Sequence, residues 1–427
     1  MFTKKTIKDI DLRGKRVLLR ADYNVPIKDG AITDDYRITQ SLPTVEYIIG
    51  QGAKLIICSH LGRPDGKHSD ADSLKPVAER LTRKLHKKVL FASDTVGDDA
   101  KAKVAELQDG QVLLLENLRF QAEEEANDDG FGKALASLAD IFVQDGFGVV
   151  HRAHASTDAV TRHVPSVAGF LLEKEVDTIT NVMEAPRRPL VAIVGGAKIS
   201  DKIEILHRLI DIADLVAVGG AMANTFLAAG GIDVAKSLVE KDAIPVAKEI
   251  IAKAKAKSKE KPFVFYLPQD GVVSDKIDKH TTTRIVDWYE HVTADIESYP
   301  KRAPRSVSEL KDDELILDIG PSSGSFIAGS IQLANTVLWN GTMGVTETPS
   351  MQGPIGPFAH GTDRIVEAML GEYGHKPFVV VGGGDTVGYV ESQNLVGAFG
   401  HVSTGGGASL ELMSGRKLPG VEALEDK

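Results

Sequence analysis

The sequence predicts an α/β protein made of two doubly wound domains with mainly parallel sheets, joined by a helical hinge. Three observations lead there. Short β-branched and aliphatic runs alternate with longer amphipathic stretches, the rhythm of strands and covering helices. About ten such runs occur, too many for one ordinary sheet, so two sheets are expected. The 427 residues also exceed the usual size of a single domain.

Taken in order, the first series of expected strands is Arg16 to Arg20, Lys54 to Cys58, Val112 to Glu116 and Ile141 to Gln144. A helix from Leu171 to Glu184 then runs up to Pro186-Arg187-Arg188-Pro189, which breaks it. The second series is Leu190 to Val194, Leu215 to Val218, Phe263 to Leu267, Leu315 to Asp318, Thr336 to Trp339 and Phe378 to Val381. Domains are therefore expected at 1–172 and 188–407, with 173–187 as the connecting helix. Of the 41 glycines, 13 precede residue 188 and 28 follow it, whereas arginine-histidine clusters gather in the first part.

With 42% apolar and 26% charged residues the composition is that of an ordinary globular chain, not a disordered or fibrous one. The single cysteine, Cys58, has no internal disulfide partner and reads as an inert packed thiol. The start, Met1-Phe2-Thr3-Lys4-Lys5, shows no apolar signal core, so a cytoplasmic location is expected. The longest uncharged run, Leu215 to Ile232, has 18 residues but contains four glycines, and reads as strand, turn and helix instead of a membrane span. A net charge of −10 repels nucleic-acid phosphate, so neither nucleic acid nor membrane is expected as a partner. Lys248 to Lys261 reads as a solvated helical face, and His280 to Arg305 as an insertion without an assigned role.

Glycines at strand ends carry the first chemical signal. Val191-Ala192-Ile193-Val194-Gly195-Gly196-Ala197-Lys198 reads as a strand entering a helix through two glycines, with Lys198 and Lys202 on one helical face. Free N–H groups at such a helix start hold anions, and glycine permits close approach. Taken alone, a tight turn with surface lysines explains the segment equally well. Phe378 to Val381 leads into Gly382-Gly383-Gly384-Asp385-Thr386, where Asp385 suits Mg²⁺ and Thr386 suits a phosphate; a capping aspartate is the alternative. Ser403-Thr404-Gly405-Gly406-Gly407-Ala408-Ser409 gives a third such turn in the same domain. No G-x-G-x-x-G or G-x-x-x-x-G-K-[ST] occurs, and Asp145-Gly146-Phe147-Gly148 is not the kinase D-F-G.

Basic groups at strand ends carry the second. Arg20 to Pro26 follows the first strand and Arg37 comes soon after. His60 and Arg63 follow the second, Arg119 the third, and the Asp145 to His154 segment with Arg152 the fourth. Ligands of open α/β sheets bind at the carboxyl edge, and arginine forks grip carboxylate or phosphate. A single arginine here reads as a surface salt bridge; the group reads as a site for one multiply charged anion. His60, His151 and His154 lack zinc spacing and are expected as hydrogen-bond donors or satisfied structural groups.

These motifs resemble phosphoglycerate kinases in order and spacing across essentially the whole chain. They are Arg20-Ala21-Asp22-Tyr23-Asn24-Val25-Pro26, SHLGRP at 59–64, ENLRF at 116–120, HRAHAST at 151–157, GGAK at 195–198, WNG at 339–341, GGGDT at 382–386 and STGGGAS at 403–409. The resemblance implies reversible transfer of the acyl phosphate of 1,3-bisphosphoglycerate to Mg-ADP, giving 3-phosphoglycerate and ATP in glycolysis. It implies that Asp22, Tyr23, Asn24, Arg37, His60, Leu61, Gly62, Arg63, Arg119 and Arg152 bind phosphoglycerate. Lys202, Asn340, Glu347, Gly383, Gly384, Asp385 and Thr386 would bind nucleotide, with Glu347 on the ribose and Asp385 on Mg²⁺. Arg37, Lys198 and the backbone at Gly384 and Gly406 would serve the phosphoryl group in flight. A monomer, and a tail at 408–427 packed back on the first domain, are implied in the same way.

That chemistry needs no general base, because the leaving group is a carboxylate, stable unprotonated near neutral pH. It asks for in-line positioning and positive charge, with hinge closure to exclude water. Four positions depart from the family pattern. Thr342 stands for proline, Thr346 for phenylalanine, Ser322-Ser323 for lysine-threonine, and Ala221 for glycine. They put nucleotide affinity or base preference in question and motivate a second hypothesis, a catalytically weakened phosphometabolite-binding protein with a regulatory partner. An assay with 3-phosphoglycerate and Mg-ATP separates the two.

Overall fold

Runs such as Val17-Leu18-Leu19 are apolar at every position, so both faces of the strand they form must be covered, as parallel sheets between helices require. In this computed structural model all three side chains are fully buried. Each contributes about 1.5–3 kcal/mol relative to exposure. The structure describes residues 2–288, 310–351, 353 and 355–427. Contacts divide the chain into two units, Met1–Thr180 with Thr404–Lys427, and Asn181–Ser403.

The sheet of the first unit contains β1 (Arg16–Arg20), β2 (Lys54–Cys58), β3 (Val89–Phe91), β4 (Val112–Leu114), β5 (Ile141–Gln144) and β6 (Ser166–Ala168). Their order is β3-β4-β2-β1-β5-β6, all parallel. The chain builds outward from β1 on one side and then returns to the other, so the order reverses between β1 and β5. Ligands of open α/β sheets bind at such a point, beyond the carboxyl ends. The end of the chain pairs with its beginning, Lys5 N–H to the Glu425 carbonyl at 2.8 Å and Lys427 N–H to that of Thr3 at 3.0 Å.

The second unit repeats the plan with β7 (Leu190–Val194), β8 (Leu215–Val218), β9 (Val264–Tyr266), β13 (Thr336–Asn340), β14 (Phe378–Gly382) and β15 (His401–Val402). The order β9-β8-β7-β13-β14-β15 reverses between β7 and β13. A separate three-stranded sheet holds β10 (Asp270–Ser274) between β11 (Arg284–Asp287) and β12 (Leu315–Ile319), both antiparallel to it.

Several expectations are corrected here. The run at Leu315 belongs to the small antiparallel sheet, not to the parallel series. The strand at Val112 stops at Leu114, and the Glu116 carboxylate instead takes the N–H groups of Leu74 and Asn117 at 2.9 and 2.7 Å. β3, β6 and β15 are too short for periodicity to reveal. The lysine-rich helix Ile244–Glu260 is not solvated throughout. Its Lys257 is buried and donates to the carbonyls of Ile210 and, at 2.7 Å, Ala213, capping the C-terminal end of the helix Ile203–Ile212. The segment read as a hinge lies in the helix Phe170–Glu184, whose first N–H groups at Leu171 and Leu172 are held by Asp145 Oδ1 at 2.9 and 3.1 Å. The division between units falls inside that helix and again before Thr404, not at 187/188 and 407/408. Of the stretch read as an insertion, 280–288 supplies β11 and Trp288, while 289–305 lies outside the described residues.

The run from Leu215 to Ile232 is strand, glycine turn and the helix Ala221–Ala229, and no helix among the described residues is long and apolar enough to cross a membrane. Cys58 is fully buried, and burial pushes its thiol up to about 12, which leaves it unreactive.

Candidate functional site

In the first unit the ends of β1, β2 and β5 lie side by side, and the charged groups after them are tied together. Arg20, the last residue of β1, is 1% exposed. Its Nε donates to Ser156 Oγ at 2.8 Å, its Nη1 to the Ala21 carbonyl, and its Nη2 lies 3.2 Å from His60 Nδ1. Arginine only donates, so His60 Nδ1 accepts and the ring proton sits on Nε2. Burial, followed by the charges of Arg20, Arg119 and Arg37, holds the His60 pKa well below the usual value, so the ring is neutral.

Asp22 is buried and accepts from Arg37 Nη1 at 3.0 Å and from the Asn24 N–H at 3.2 Å. Arg37 Nη1 also donates to the Asn24 carbonyl at 3.2 Å, and Asn24 Oδ1 takes the Gly62 N–H at 3.0 Å. The Gly62 carbonyl accepts from Arg119 Nη1 at 2.8 Å, and Arg119 Nε meets Glu125 at 3.2 Å. One circuit thus links Arg37, Asp22, Asn24, Gly62 and Arg119. Arg63 and Arg152 are exposed and form no ion pair among the described residues, which leaves their forks free for an anion.

Two expected substrate contacts point elsewhere. Tyr23 is fully buried, its hydroxyl 3.0 Å from Ser41 Oγ, its N–H on Ser59 Oγ at 2.8 Å and its carbonyl taken by Val25. Leu61 packs in the core, with its N–H and carbonyl both on the Asn117 side chain at 3.2 and 2.7 Å. Both residues shape the wall and present no free group.

The third glycine turn is also corrected, because Gly405, Gly406 and Gly407 belong to the first unit. A Cβ on Gly405 would lie 2.7 Å from Gly148 Cα, and one on Gly407 would lie 3.0 Å from His151 Nε2. Buried Glu175 anchors the turn, accepting from Thr404 N and Oγ1 at 2.6 and 2.8 Å. Gly406 begins the helix Gly406–Met413 and is not in one unit with Lys198 and Gly384.

In the second unit β7 and β13 run parallel with Val194 beside Asn340, and the loops that follow touch backbone to backbone. A Cβ on Gly195 would lie 2.0 Å from the Thr342 carbonyl oxygen; one on Gly220, whose φ is 67°, would lie 2.6 Å from Gly196 N. Only glycine fits, so the doublet at 219–220 serves this crossing. Lys198 and Lys202 do not share a helical face, because the helix starts at Ile203 and Lys202 is its cap residue. Glu240 holds the intervening loop off the helical path by accepting the N–H groups of Ile199 and Ser200 at 2.5 and 3.2 Å, while the Ile199 side chain is fully buried.

Lys202 Nζ donates to Asn340 Oδ1 and lies 3.3 Å from the Asn340 carbonyl. Burial draws its pKa down to about 8, against the pull of Asp385 and Asp201. A Cβ on Gly383 would lie 3.1 Å from Asn340 Nδ2, which brings the GGGDT turn beside the same pair. Gly384 and Asp385 are exposed in the first turn of the helix Gly384–Ser392. Thr386 is fully buried, and its hydroxyl accepts the Gly341 N–H at 2.6 Å, so only its proton is left for a phosphate. Lys198 and Glu347 are exposed and make no hydrogen bond among the described residues.

Beside Gly220 opens a small recess lined by Trp288, Ile316 and Met343 together with Asn224, Asp270 and Asp318. Trp288 is fixed by its Nε1–H to the Pro268 carbonyl at 2.6 Å; it sits in the stretch without an assigned role, where no motif marks it. Among the departures, Ser323 donates through Oγ to Asp270 at 2.6 Å, and the N–H groups of Ser322 and Ser323 meet the same carboxylate at 2.8 Å, capping the helix Pro321–Leu333. Thr342 Oγ1 donates to the Gly344 carbonyl at 3.0 Å. No group of three metal-ligating side chains exists among the described residues. A lone exposed carboxylate, Asp385, beside anion-binding groups fits Mg²⁺, which keeps several waters and shares phosphate oxygens.

The phosphoglycerate kinase family model matches residues 7–416. The chain is 45% identical to a phosphoglycerate kinase of Moorella thermoacetica and 44% identical to one of Pelotomaculum thermopropionicum, each over 100% of both chains. It is also similar to the solved phosphoglycerate kinase of Coxiella burnetii, with a TM-score of 0.81 and 36% identity over 98% of each chain.

Proposed function

The chain belongs to the phosphoglycerate kinase family, and from that premise we propose how its two units divide the work. The activity is that of a phosphotransferase, moving the acyl phosphate of 1,3-bisphosphoglycerate to ADP and back. The first unit binds the phosphoglycerate, with Arg37, Arg63, Arg119 and Arg152 around its anionic groups, and with Asp22, Asn24 and Gly62 fixing Arg37 and Arg119. Neutral His60 offers Nε2–H. The observation that carries this half is the circuit from Arg37 to Arg119 at the carboxyl edge of the first sheet.

The second unit binds the nucleotide. Lys202 and Asn340 meet the phosphates beside the backbone of Gly383 and Gly384, and Glu347 takes the ribose. Asp385 would hold Mg²⁺, which when bound neutralises charge on the phosphate oxygens. Lys198 carries positive charge on an unpaired flexible side chain, free to follow the phosphoryl group, and Arg37 and the Gly406 N–H act from the first unit. No residue needs to move a proton, because a carboxylate both leaves and attacks. Transfer requires the two ligands to be brought into line, so we expect compaction in solution scattering when both are present. Work in the cytoplasm as a monomer belongs to the same proposal, supported by the net charge of −10 and the buried thiol.

An assay with 3-phosphoglycerate and Mg-ATP tests the whole reading. Arg37→Ala tests its first half: the KM for 3-phosphoglycerate should rise by about 10- to 100-fold, the worth of charge-assisted hydrogen bonds. An effect confined to Mg-ATP would overturn the assignment.

A further inference from the structure

Glu124 lies in the four-residue helix Ala122–Glu125, in the middle of a run of three glutamates. The neighbouring Glu125 pairs with Arg119 at the surface, but Glu124 is 1% exposed. A carboxylate so buried needs partners. Its Oε1 accepts Ser156 Oγ–H at 2.5 Å, and its Oε2 accepts the Ser156 N–H at 2.9 Å. Ser156 Oγ has one proton, which goes to Glu124, so it meets Arg20 Nε only as an acceptor. Arg20 in turn donates to His60 Nδ1, which leaves the His60 proton on Nε2. Arg20 donates at both contacts, so Glu124, through Ser156, sets where Arg20 sits rather than the direction of its hydrogen bonds.

We propose that Glu124 is a positioning residue that acts through Ser156 and Arg20 to fix the His60 tautomer, so that Nε2–H is the donor offered at the phosphoglycerate site. Burial pushes the Glu124 carboxyl up and the Arg20 charge pulls it back down, so the two are buried partners in the same chain. Without it, Ser156 Oγ–H is free to turn and Arg20 is free to swing toward Asp22, whose Oδ1 is 3.9 Å from His60 Nδ1. His60 then loses the donor that keeps Nδ1 an acceptor. His154, whose Nδ1 is 4.0 Å from Glu124 Oε1, loses its nearest carboxylate in the same step. The use of this relay rests on the reading of the first unit as the phosphoglycerate site; the relay itself does not.

The test therefore has a readout that needs no substrate. Ring-nitrogen NMR of His60 in the ligand-free full chain should show a neutral ring protonated at Nε2. Glu124→Gln and Ser156→Ala should each shift it toward Nδ1 protonation, and Ser156→Thr should restore the original spectrum. In the assay, both variants should raise the KM for 3-phosphoglycerate about tenfold, the loss of one hydrogen bond to a charged group, with the KM for Mg-ATP unchanged. An unchanged His60 spectrum in folded Glu124→Gln overturns the relay, as does a shift in Glu124→Gln with none in Ser156→Ala. If Glu124→Gln fails to fold, Ser156→Ala decides. A spectral shift with an unaltered KM supports the relay and counts against the phosphoglycerate reading.

Discussion

The two units meet anions by different physical means. In the first, part of the charge is buried and wired: Arg20 and Arg119 are almost wholly enclosed, Arg20 held by His60 and by Ser156 on Glu124, and Arg119 by the Gly62 carbonyl, while Arg63 and Arg152 stay exposed. In the second, backbone is brought close by glycines, while Lys198, Asp385 and Glu347 stand exposed and unlocked. A preorganised cluster needs burial to hold its geometry, whereas charges that must follow a moving group need freedom. If so, mutations in the wired cluster of the first unit should act mainly on phosphoglycerate affinity, those in the close-packed backbone and at Lys202 of the second on nucleotide affinity, and loss of the exposed Lys198 mainly on turnover.

The sharpest test is Lys198→Ala. Loss of one positive donor to the transferring phosphoryl group should lower kcat by about 10²- to 10³-fold, with the KM for 3-phosphoglycerate nearly unchanged. Turnover close to wild type would remove Lys198 from the reaction and blur the contrast between units. Next comes Gly220→Ala, which forces a Cβ toward Gly196 N at a φ of 67°. It should destabilise the second unit by about 2–4 kcal/mol, seen in denaturant unfolding, and raise the KM for Mg-ATP while sparing that for phosphoglycerate. Equal loss of both affinities would show that the crossing of loops is not specific to the nucleotide side.

A smaller effect follows from Lys202, whose pKa is drawn down to about 8 by burial. Phosphate binds its protonated form, so nucleotide affinity is full below pH 8 and weakens as pH rises through it. The KM for Mg-ATP should climb toward tenfold per pH unit between about 8 and 9.5, and Lys202→Arg, which stays charged, should flatten the profile. A flat wild-type profile would mean that Lys202 does not meet the phosphates.

How much of this was legible in the sequence varies with the physics. The strands that cross the middle of each sheet were readable because burial on both faces forces unbroken apolar runs, as in Val17-Leu18-Leu19 and Val379-Val380-Val381. Edge strands such as Ser166–Ala168 and His401–Val402 were not, because two or three residues carry no period. Arg37 and Arg119 were found by their position after strands. Glu124 and Ser156 were invisible, since a buried acid on a short helix looks like any surface glutamate until its partners, 32 residues apart, are placed together. The loop at Lys198 was misjudged for a similar reason: Glu240, distant in sequence, decides its path. Tyr23 and Leu61 carried motif positions whose side chains turn inward.

The smallest expected effect separates the two units by their response to acid. In the first, His154 is pushed down to about 4, by burial first and then by Arg20, Arg119 and Arg152. Its unfolded form takes a proton below about 6.5, so its contribution to stability is intact above that pH and is lost as pH falls through 4. His60 and His151 work in the same direction, while buried Asp145, raised to about 7, and Glu124, raised by burial, offset part of the loss. The second unit contains Asp318, raised to about 8 by burial although it accepts the N–H groups of Gly361 and Ile319 at 2.8 Å. The folded state keeps that proton, so stability is fully present below about 3.9 and is lost as pH rises through 8. Hydrogen exchange at pH 5.5 against pH 7.5 should therefore show β7 and β13 gaining protection relative to β1 and β5. Asp318→Asn, which still accepts a hydrogen bond and cannot titrate, should abolish that gain. Equal shifts in both sheets would show that the buried charges of the first unit do not set its acid response.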